Sequence, residues 1–200
     1  MTQSEQDPKS LEKSKELLEA RTSVAWSEQM APRLSQWVME LASWEQDSAR
    51  RLQGIGFGYW QYPQLLSLEQ LAEQAQRRYE RLIGLMLELK IDYQALEASC
   101  YQVELLAAQR LEEPSRLIDL LLIAGLLESR CCERLQSLLC YCEPAITRLM
   151  SELLERKQEL ASRYLELARE LAGDEWQPRL SELARHEAKL LETQMSERLC

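Results

Sequence analysis

Apolar residues recur every three to four positions along four long stretches of this chain, which is the spacing that places them on one face of an α-helix. The stretches cover residues 32–58, 67–90, 115–142 and 144–173. Pro144 suits the first turn of the fourth stretch, and Gly173 suits the position just after its end. The pattern therefore predicts four long helices, each with one buried face.

The remaining segments have a weaker pattern. Residues 91–111 have an irregular stripe with helical stretches such as 95–107, so we predict a long crossover that contains a short helix. A last helix is predicted over residues 178–195. The polar residues at the N-terminus favour disorder. We therefore predict a polar, partly disordered segment at 1–21 and a single helical domain at 22–200.

The composition favours helices over strands. Leu, Glu, Ala, Gln and Arg dominate, whereas Gly and Pro occur six times each and β-branched residues are scarce. The predicted fold class is therefore all-α. The formal net charge of −9 argues against broad, nonspecific nucleic-acid binding, because that affinity comes from Lys and Arg that neutralise phosphates. A local basic patch is still compatible with this charge.

The chain has no sign of a membrane span or of an export signal. No stretch approaches the roughly 18 apolar residues of a membrane span, and the N-terminal sequence MTQSEQDPKS lacks the apolar region of a signal peptide. We therefore expect a cytoplasmic protein with no membrane partner. Its six cysteines are expected to be reduced thiols, several of them filling the core.

One charged residue interrupts the apolar face of each long helix near its middle. These residues are Glu45, Arg78, Glu128 and Lys157. A single residue of this kind is typical of a boundary position whose charged end reaches solvent. Four of them at mid-helix, two acids and two bases, instead indicate a central polar layer, because a buried charge requires a partner.

The segment around Glu128 also carries a family resemblance. Residues 127–134, LESRCCER, resemble the IEARSCERF signature of the bacterial tRNA hydroxylases. These enzymes act on the isopentenyl side chain of 2-methylthio-isopentenyl-adenosine next to the anticodon. Weaker matches cover residues 22–26, 44–63, 71–86 and 179–191. The resemblance implies a ferritin-like four-helix bundle with a long crossover between helices 2 and 3, an extra C-terminal helix, and a di-iron centre.

The resemblance also implies where metal ligands should stand, and this chain departs from that pattern. Glu45 and Glu128 stand where the family has its two single glutamate ligands. The two Glu-x-x-His pairs of the family fall on the residues Ala75, Arg78, Lys157 and Leu160. We therefore interpret these six positions as a vestigial metal site. If the chain is active, Glu45 and Glu128 are the candidate iron ligands.

The missing ligands suggest that side-chain cations replace the metal. Arg78 and Lys157 would then neutralise Glu45 and Glu128 in a buried ion-pair layer, in which a lost partner costs about 3–5 kcal/mol. On this interpretation the protein takes no cofactor, with iron as the alternative, and has no catalytic residue. The single histidine, His186, is expected at the surface or at an interface rather than at a metal.

Three functions follow from these observations. The leading hypothesis is a catalytically inactive pseudoenzyme related to the tRNA hydroxylases, acting as a binding or structural module. The first alternative is an active tRNA hydroxylase, a monooxygenase acting on isopentenyl-adenosine, with an unusual di-iron site. The second alternative is a non-catalytic subunit of a hetero-oligomer.

Each hypothesis implies partners. A protein partner or a paralogous subunit would need a docking surface, and the candidate aromatic residues are Trp26, Trp60, Tyr62 and Trp176. Binding of tRNA would need a basic face on this acidic chain. The candidates for that face are Arg50, Arg51, Arg77, Arg81, Arg130 and Arg134.

Overall fold

The computed structural model describes residues 34–92, 100–139, 142 and 144–199. Every regular element in these ranges is helical, so the predicted all-α fold is confirmed for the part of the chain that is described. The α-helices are α1 (Leu34–Gly58), α2 (Ser67–Glu88), α3 (Cys100–Ala107), α4 (Ser115–Leu139), α5 (Pro144–Ala172) and α6 (Trp176–Leu199). The predicted polar segment at 1–21 lies outside the described residues.

The four long helices pack as two pairs. Helix α1 packs along α2, and α4 packs along α5, while α1 also contacts α4. The crossover between α2 and α4 contains the short helix α3, as the irregular stripe predicted. Helix α3 packs against α6, and both also contact α4. The core is thus a four-helix bundle with α3 and α6 added at the side of α4.

Backbone conformation marks the ends of two of these helices. Gly173 has a φ of 58°, a left-handed conformation that glycine adopts without steric cost, and it directly follows α5 as predicted. Lys90 has a φ of 54° just after α2. The Ile91 N–H donates to the Met86 carbonyl oxygen across this turn, which satisfies one of the last carbonyls of α2.

The buried apolar residues form two clusters rather than one. The first contains Trp37 and Trp44 of α1 together with Met150 of α5. The second contains Leu52 of α1 and Tyr164 of α5. The polar positions of the central layer lie between these clusters along the helices. In the described ranges, no helix combines the length and apolar character needed to cross a membrane.

Candidate functional site

The four charged residues on the apolar faces lie together in the centre of the bundle. Glu45 comes from α1, Arg78 from α2, Glu128 from α4 and Lys157 from α5. The two glutamates and the lysine are fully buried, and Arg78 is 8% exposed. Since the apolar stripe of each helix faces the bundle axis, a charge on that stripe has no route to solvent except along its own side chain. We refer to these four residues, together with the side chains of α1 that contact Glu128, as the central layer.

Lys157 lies between the two carboxylates. Its Nζ donates a hydrogen bond to Glu128 Oε2 at 2.7 Å and lies 2.8 Å from Glu45 Oε1. The contact with Glu45 is an ion pair without the alignment of a hydrogen bond. Glu45 Oε1 therefore has no hydrogen-bond partner among the described residues. The ammonium thus connects the acid of α1 with the acid of α4.

Each carboxylate has a second contact on its other oxygen. Arg78 Nε donates to Glu45 Oε2 at 2.9 Å. Ser48 Oγ donates to Glu128 Oε1 at 2.7 Å, and Arg51 Nη2 lies 3.3 Å from the same oxygen. Ser48, three residues after Glu45, lies on the same side of α1, whereas Arg51 stands at the edge of that side and its longer side chain reaches Glu128. The local charge is therefore two carboxylates against three cations.

The contacts of the central layer shift the pKa values of Glu128 and Lys157 so that the charged form of each is stabilised. Burial would raise the pKa of Glu128, but Lys157 and Arg51 outweigh it and lower that pKa to about 2. Burial would lower the pKa of Lys157, but Glu128 and Glu45 hold it well above its ordinary value. Glu128 is thus ionised and Lys157 protonated at neutral pH, so neither can exchange a proton there.

Other buried polar groups lie around the central layer. Burial and the Glu128 carboxylate raise the pKa of Tyr164, so its hydroxyl stays protonated. Among the described residues, that hydroxyl and Arg51 Nε have no hydrogen-bond partner although both are buried. Burial also raises the pKa of Cys131 to about 12, so its thiol is protonated at neutral pH.

The remaining positions of the predicted vestigial site offer no donors. Ala75 and Leu160 are buried in the same core, with 0% and 2% exposure. The neighbouring acids that could have replaced the missing ligands are all exposed, namely Glu73, Glu80, Glu155 and Glu159. In the described part of the chain, no cluster of three or more His, Cys, Asp or Glu side chains has the geometry to hold a metal ion.

The predicted docking aromatics do not form one surface. Trp60 is 76% exposed, whereas Trp176 is 6% exposed and packs in the core, so its assignment to a docking surface is wrong. Tyr62 is half-buried, and Trp26 lies outside the described residues. His186 is half-buried on α6.

The predicted basic face is also divided. Arg50, Arg77 and Arg81 are exposed, as a phosphate contact requires. Arg130 is only 1% exposed and pairs with Glu187 and Glu133, so its assignment to a phosphate-binding face is wrong. Arg51 belongs to the central layer, and the guanidinium of Arg134 lies 5.0 Å from the centre of the Trp44 ring.

Two further groups of buried ionic contacts, which the helix pattern did not predict, attach α6. Asp119 of α4 accepts hydrogen bonds from Arg110 and Arg179, and these cations lower its pKa against the effect of burial. Glu187 of α6 accepts hydrogen bonds from Arg130 and Tyr101. We call these residues the α6 tether. The sequence did contain one indication of these contacts, because Glu187 lies on the same face of α6 as Leu180 and Leu183, which are buried.

Residues 9–199 match the sequence profile of tRNA-(MS2IO6A)-hydroxylase (MiaE). The chain belongs to this family. A search of curated proteins found no match. Among solved structures, the chain is similar to "Protein 43 with aldehyde deformylating oxygenase activity" from Synechococcus. The two share 29% identity with a TM-score of 0.83 over 88% of this chain and 89% of that one.

These comparisons confirm the resemblance and the ferritin-like fold class, and they correct one expectation. The expectation of no cofactor is wrong for this family, because the tRNA hydroxylases and the ferritin-like oxygenases are di-iron proteins. Iron is therefore the cofactor that membership implies. A di-iron site in this fold takes a Glu from each of two helices and a Glu-x-x-His pair from each of the other two. The described residues do not fit that set, since the layer supplies two carboxylates that are already bound by cations.

Proposed function

We propose that this member of the tRNA hydroxylase family no longer hydroxylates tRNA and that its bundle serves as a binding or structural module. The observation that carries the proposal is the position of Lys157, whose Nζ lies within 2.8 Å of both carboxylates at the bundle centre. A lysine ammonium there supplies the positive charge that holds the acids of α1 and α4 together. It cannot take part in redox chemistry.

The chemistry of the layer supports the loss of hydroxylation. Oxygen activation is the work of a metal centre, which the protein positions and tunes. The residues at the bundle centre are locked in ion pairs, and the pKa of Glu128 is lowered to about 2, so it would be a poor base near neutral pH. Where the family resemblance implies two Glu-x-x-His pairs, this chain has Ala75 with Arg78 and Lys157 with Leu160. These four positions therefore carry apolar or cationic groups.

A direct assay tests this proposal. The full chain, incubated with Fe²⁺ without oxygen and then given reductant and oxygen, is offered tRNA that carries 2-methylthio-isopentenyl-adenosine. We expect no hydroxylated nucleoside by mass spectrometry, whereas an active family member in parallel produces it. Iron-dependent turnover by this chain would sink the proposal and favour the active hydroxylase with an unusual di-iron site, which family membership over residues 9–199 supports.

Restoring the family's ligands tests the assignment of the six positions. The variant combines Ala75→Glu, Arg78→His, Lys157→Glu and Leu160→His, which supplies a Glu and a His from both α2 and α5. We expect Fe²⁺ to raise its Tm, because the added acids repel each other without a cation. The matched control places the same four residues on exposed neighbours, as Gln74→Glu, Arg77→His, Arg156→Glu and Glu159→His. An equal response of both variants to Fe²⁺ would show that the six positions are not a former metal site.

A role as a non-catalytic subunit has its own support. Phe57, Trp60 and Leu66 are 86%, 76% and 61% exposed near the connection from α1 to α2. Large apolar residues grouped on a surface are typical of a protein contact. Co-purification with an active member of the family, lost on Trp60→Ser, would support this second candidate. The expected cytoplasmic location stays a prediction.

A further inference from the structure

A groove runs along the outside of the bundle between α2 and α5. It has two parts, of about 710 Å³ and about 480 Å³, and Gln74 and Glu155 line both of them, so the parts adjoin. Both parts are open to solvent. The larger part has a mixed polar lining of amide and hydroxyl groups together with one arginine and three glutamates, namely Ser67, Gln70, Gln74, Gln158, Ser162, Arg163, Glu155, Glu159 and Glu166.

The smaller part of the groove is basic, although the chain as a whole carries a net charge of −9. Four arginines line it, and the acids beside them are Glu152 and Glu155. Arg81 bridges to Glu152 across the groove at 2.8 Å, with both side chains about half exposed. An exposed pair of this kind is weak, so its arginine can exchange the glutamate for a stronger anion. The arginines are Arg77, Arg78, Arg81 and Arg156.

Arg78 is the buried arginine of this basic part, and its guanidinium is held by a contact inside the bundle. Its Nε donates to Glu45 Oε2 at 2.9 Å, which is its single hydrogen bond within the described ranges. The two terminal amino groups of the guanidinium keep some access to solvent, since neither is a buried polar atom without a partner, and Arg78 lines the groove. A planar guanidinium held at Nε, with its amino groups accessible beside a groove, can donate two parallel hydrogen bonds to one anion.

We propose that the groove between α2 and α5 binds a ligand through a phosphate group, with Arg78 as the fixed contact. Guanidinium and phosphate pair in this two-point geometry. The exposed Arg77, Arg81 and Arg156 lie around it. Each is in an exposed ion pair with a glutamate, a weak contact that a phosphate can displace. The larger part of the groove then faces the rest of the ligand, which is either a free phosphate ester or a segment of RNA. This site goes beyond the loss of hydroxylation and does not depend on it.

Calorimetry with inorganic pyrophosphate on the full chain tests the site. The groove variant combines Arg77→Gln, Arg81→Gln and Arg156→Gln. The control variant combines Arg50→Gln, Arg116→Gln and Arg185→Gln, which removes the same charge from exposed positions on α1, α4 and α6. We expect the groove variant to lose about 10-fold or more in affinity and the control to change less than about 2-fold. Equal losses in both, or no pyrophosphate binding by the natural chain, would overturn the proposal.

Arg78→Lys tests the fixed contact separately. Lysine keeps a cation beside Glu45 but cannot form the two-point pair, so we expect pyrophosphate affinity to fall by about 5-fold or more with unchanged helical circular dichroism. Unchanged affinity in this folded variant would remove Arg78 from the site. If Arg78→Lys does not fold, the surface triple variants still decide whether the groove binds phosphate.

A labelled RNA stem-loop then distinguishes the two sources of the phosphate. Competition between this RNA and pyrophosphate, with RNA binding weakened by the groove variant and by added salt, identifies an RNA backbone phosphate. Pyrophosphate binding that the RNA does not displace identifies a small phosphate ester. Both results support the site. RNA binding that the groove and control variants weaken equally, without pyrophosphate binding, contradicts it.

Discussion

Two clusters of buried charge lie on α4, and they differ in how completely their polar atoms are paired. In the α6 tether, both oxygens of Asp119 and both oxygens of Glu187 accept hydrogen bonds. In and around the central layer, Glu45 Oε1, Arg51 Nε and the Tyr164 hydroxyl lack a hydrogen-bond partner among the described residues. A buried polar atom with no partner costs about 1–3 kcal/mol, but Glu45 Oε1 is compensated by its ion pair with Lys157 at 2.8 Å.

The difference shows that buried charge alone does not mark a functional site. The α6 tether joins α6 and the crossover to α4, and its full pairing suits a purely structural task. The central layer occupies the positions at which the family resemblance implies metal ligands, and a lysine bridges the two acids that remain. Its incomplete hydrogen bonding distinguishes it from the α6 tether.

The largest expected effect is that removing one carboxylate costs more stability in the central layer than in the α6 tether. Glu128→Leu leaves Lys157, Arg78 and Arg51 facing only Glu45, so we expect a loss of about 3–5 kcal/mol in the free energy of unfolding. Glu187→Leu leaves Arg130 paired with Glu133, so its cost should be smaller, about 1–3 kcal/mol. Urea unfolding of both variants measures the difference.

Limited proteolysis provides a second comparison of these two variants. Loss of Glu187 should expose α6 to limited proteolysis before the bundle unfolds, because α6 is attached at the side of α4. Loss of Glu128 should leave the order of cleavage unchanged while lowering global stability. Equal costs in urea and the same early cleavage in both variants would show that the two clusters do the same work.

Acid should weaken the central layer through Glu128. Its pKa of about 2 in the fold lies below the ordinary 4.5, so its stabilising effect is complete above pH 4.5 and is lost as the pH falls toward 2. The shift corresponds to stabilisation on the order of 3 kcal/mol. Lys157 has a raised pKa, so its effect is complete below its ordinary 10.5 and is lost only at higher pH.

The measurement compares urea unfolding of the natural chain and of Glu128→Gln between pH 6 and pH 3. The natural chain should lose more stability over this range, since the glutamine has no proton to gain. Parallel curves for the two proteins would mean that Glu128 is not held ionised by Lys157 and Arg51.

Removal of the bridging cation should cost less than removal of the acid. After Lys157→Met, Glu45 still faces Arg78 and Glu128 still faces Arg51, so the remaining charges balance. We expect a loss of about 2 kcal/mol in the free energy of unfolding, from the missing hydrogen bond to Glu128. A cost as large as that of Glu128→Leu would show that Arg51 and Arg78 do not compensate the two acids.

The smallest effect is expected at an exposed ion pair outside both clusters. Arg81→Gln breaks the contact with Glu152 across the groove, where both partners are about half exposed. Solvent screening leaves such a pair with almost no net effect on stability, so we expect the Tm to stay the same. Thermal unfolding at low and at physiological salt checks this expectation. A fall in Tm as large as that of the buried-charge variants would give the groove pair a structural role comparable to the buried clusters.

Much of the central layer was predictable because its members interrupt regular apolar stripes. Glu45, Arg78, Glu128 and Lys157 each stand where their helix should bury an apolar residue, and two signs of charge in equal number suggest pairing. Ser48 and Arg51 were harder to place, since Ser48 fits any buried stripe and Arg51 next to Arg50 resembles a basic surface. Only their contacts with Glu128 in the structure assign both to the layer.

The sequence by itself determined the four long helices, the short helix in the crossover, the family, and which charges lie on buried faces. These properties follow from helical periodicity and from a local motif, both of which are written in consecutive residues. The tertiary structure decided that Lys157 bridges both acids, that Arg130 and Asp119 belong to the α6 tether, and that α2 and α5 leave a groove between them. Periodicity fixes the direction of a side chain relative to its own helix axis. Its partner depends on how neighbouring helices are aligned and crossed, which packing of the whole bundle sets.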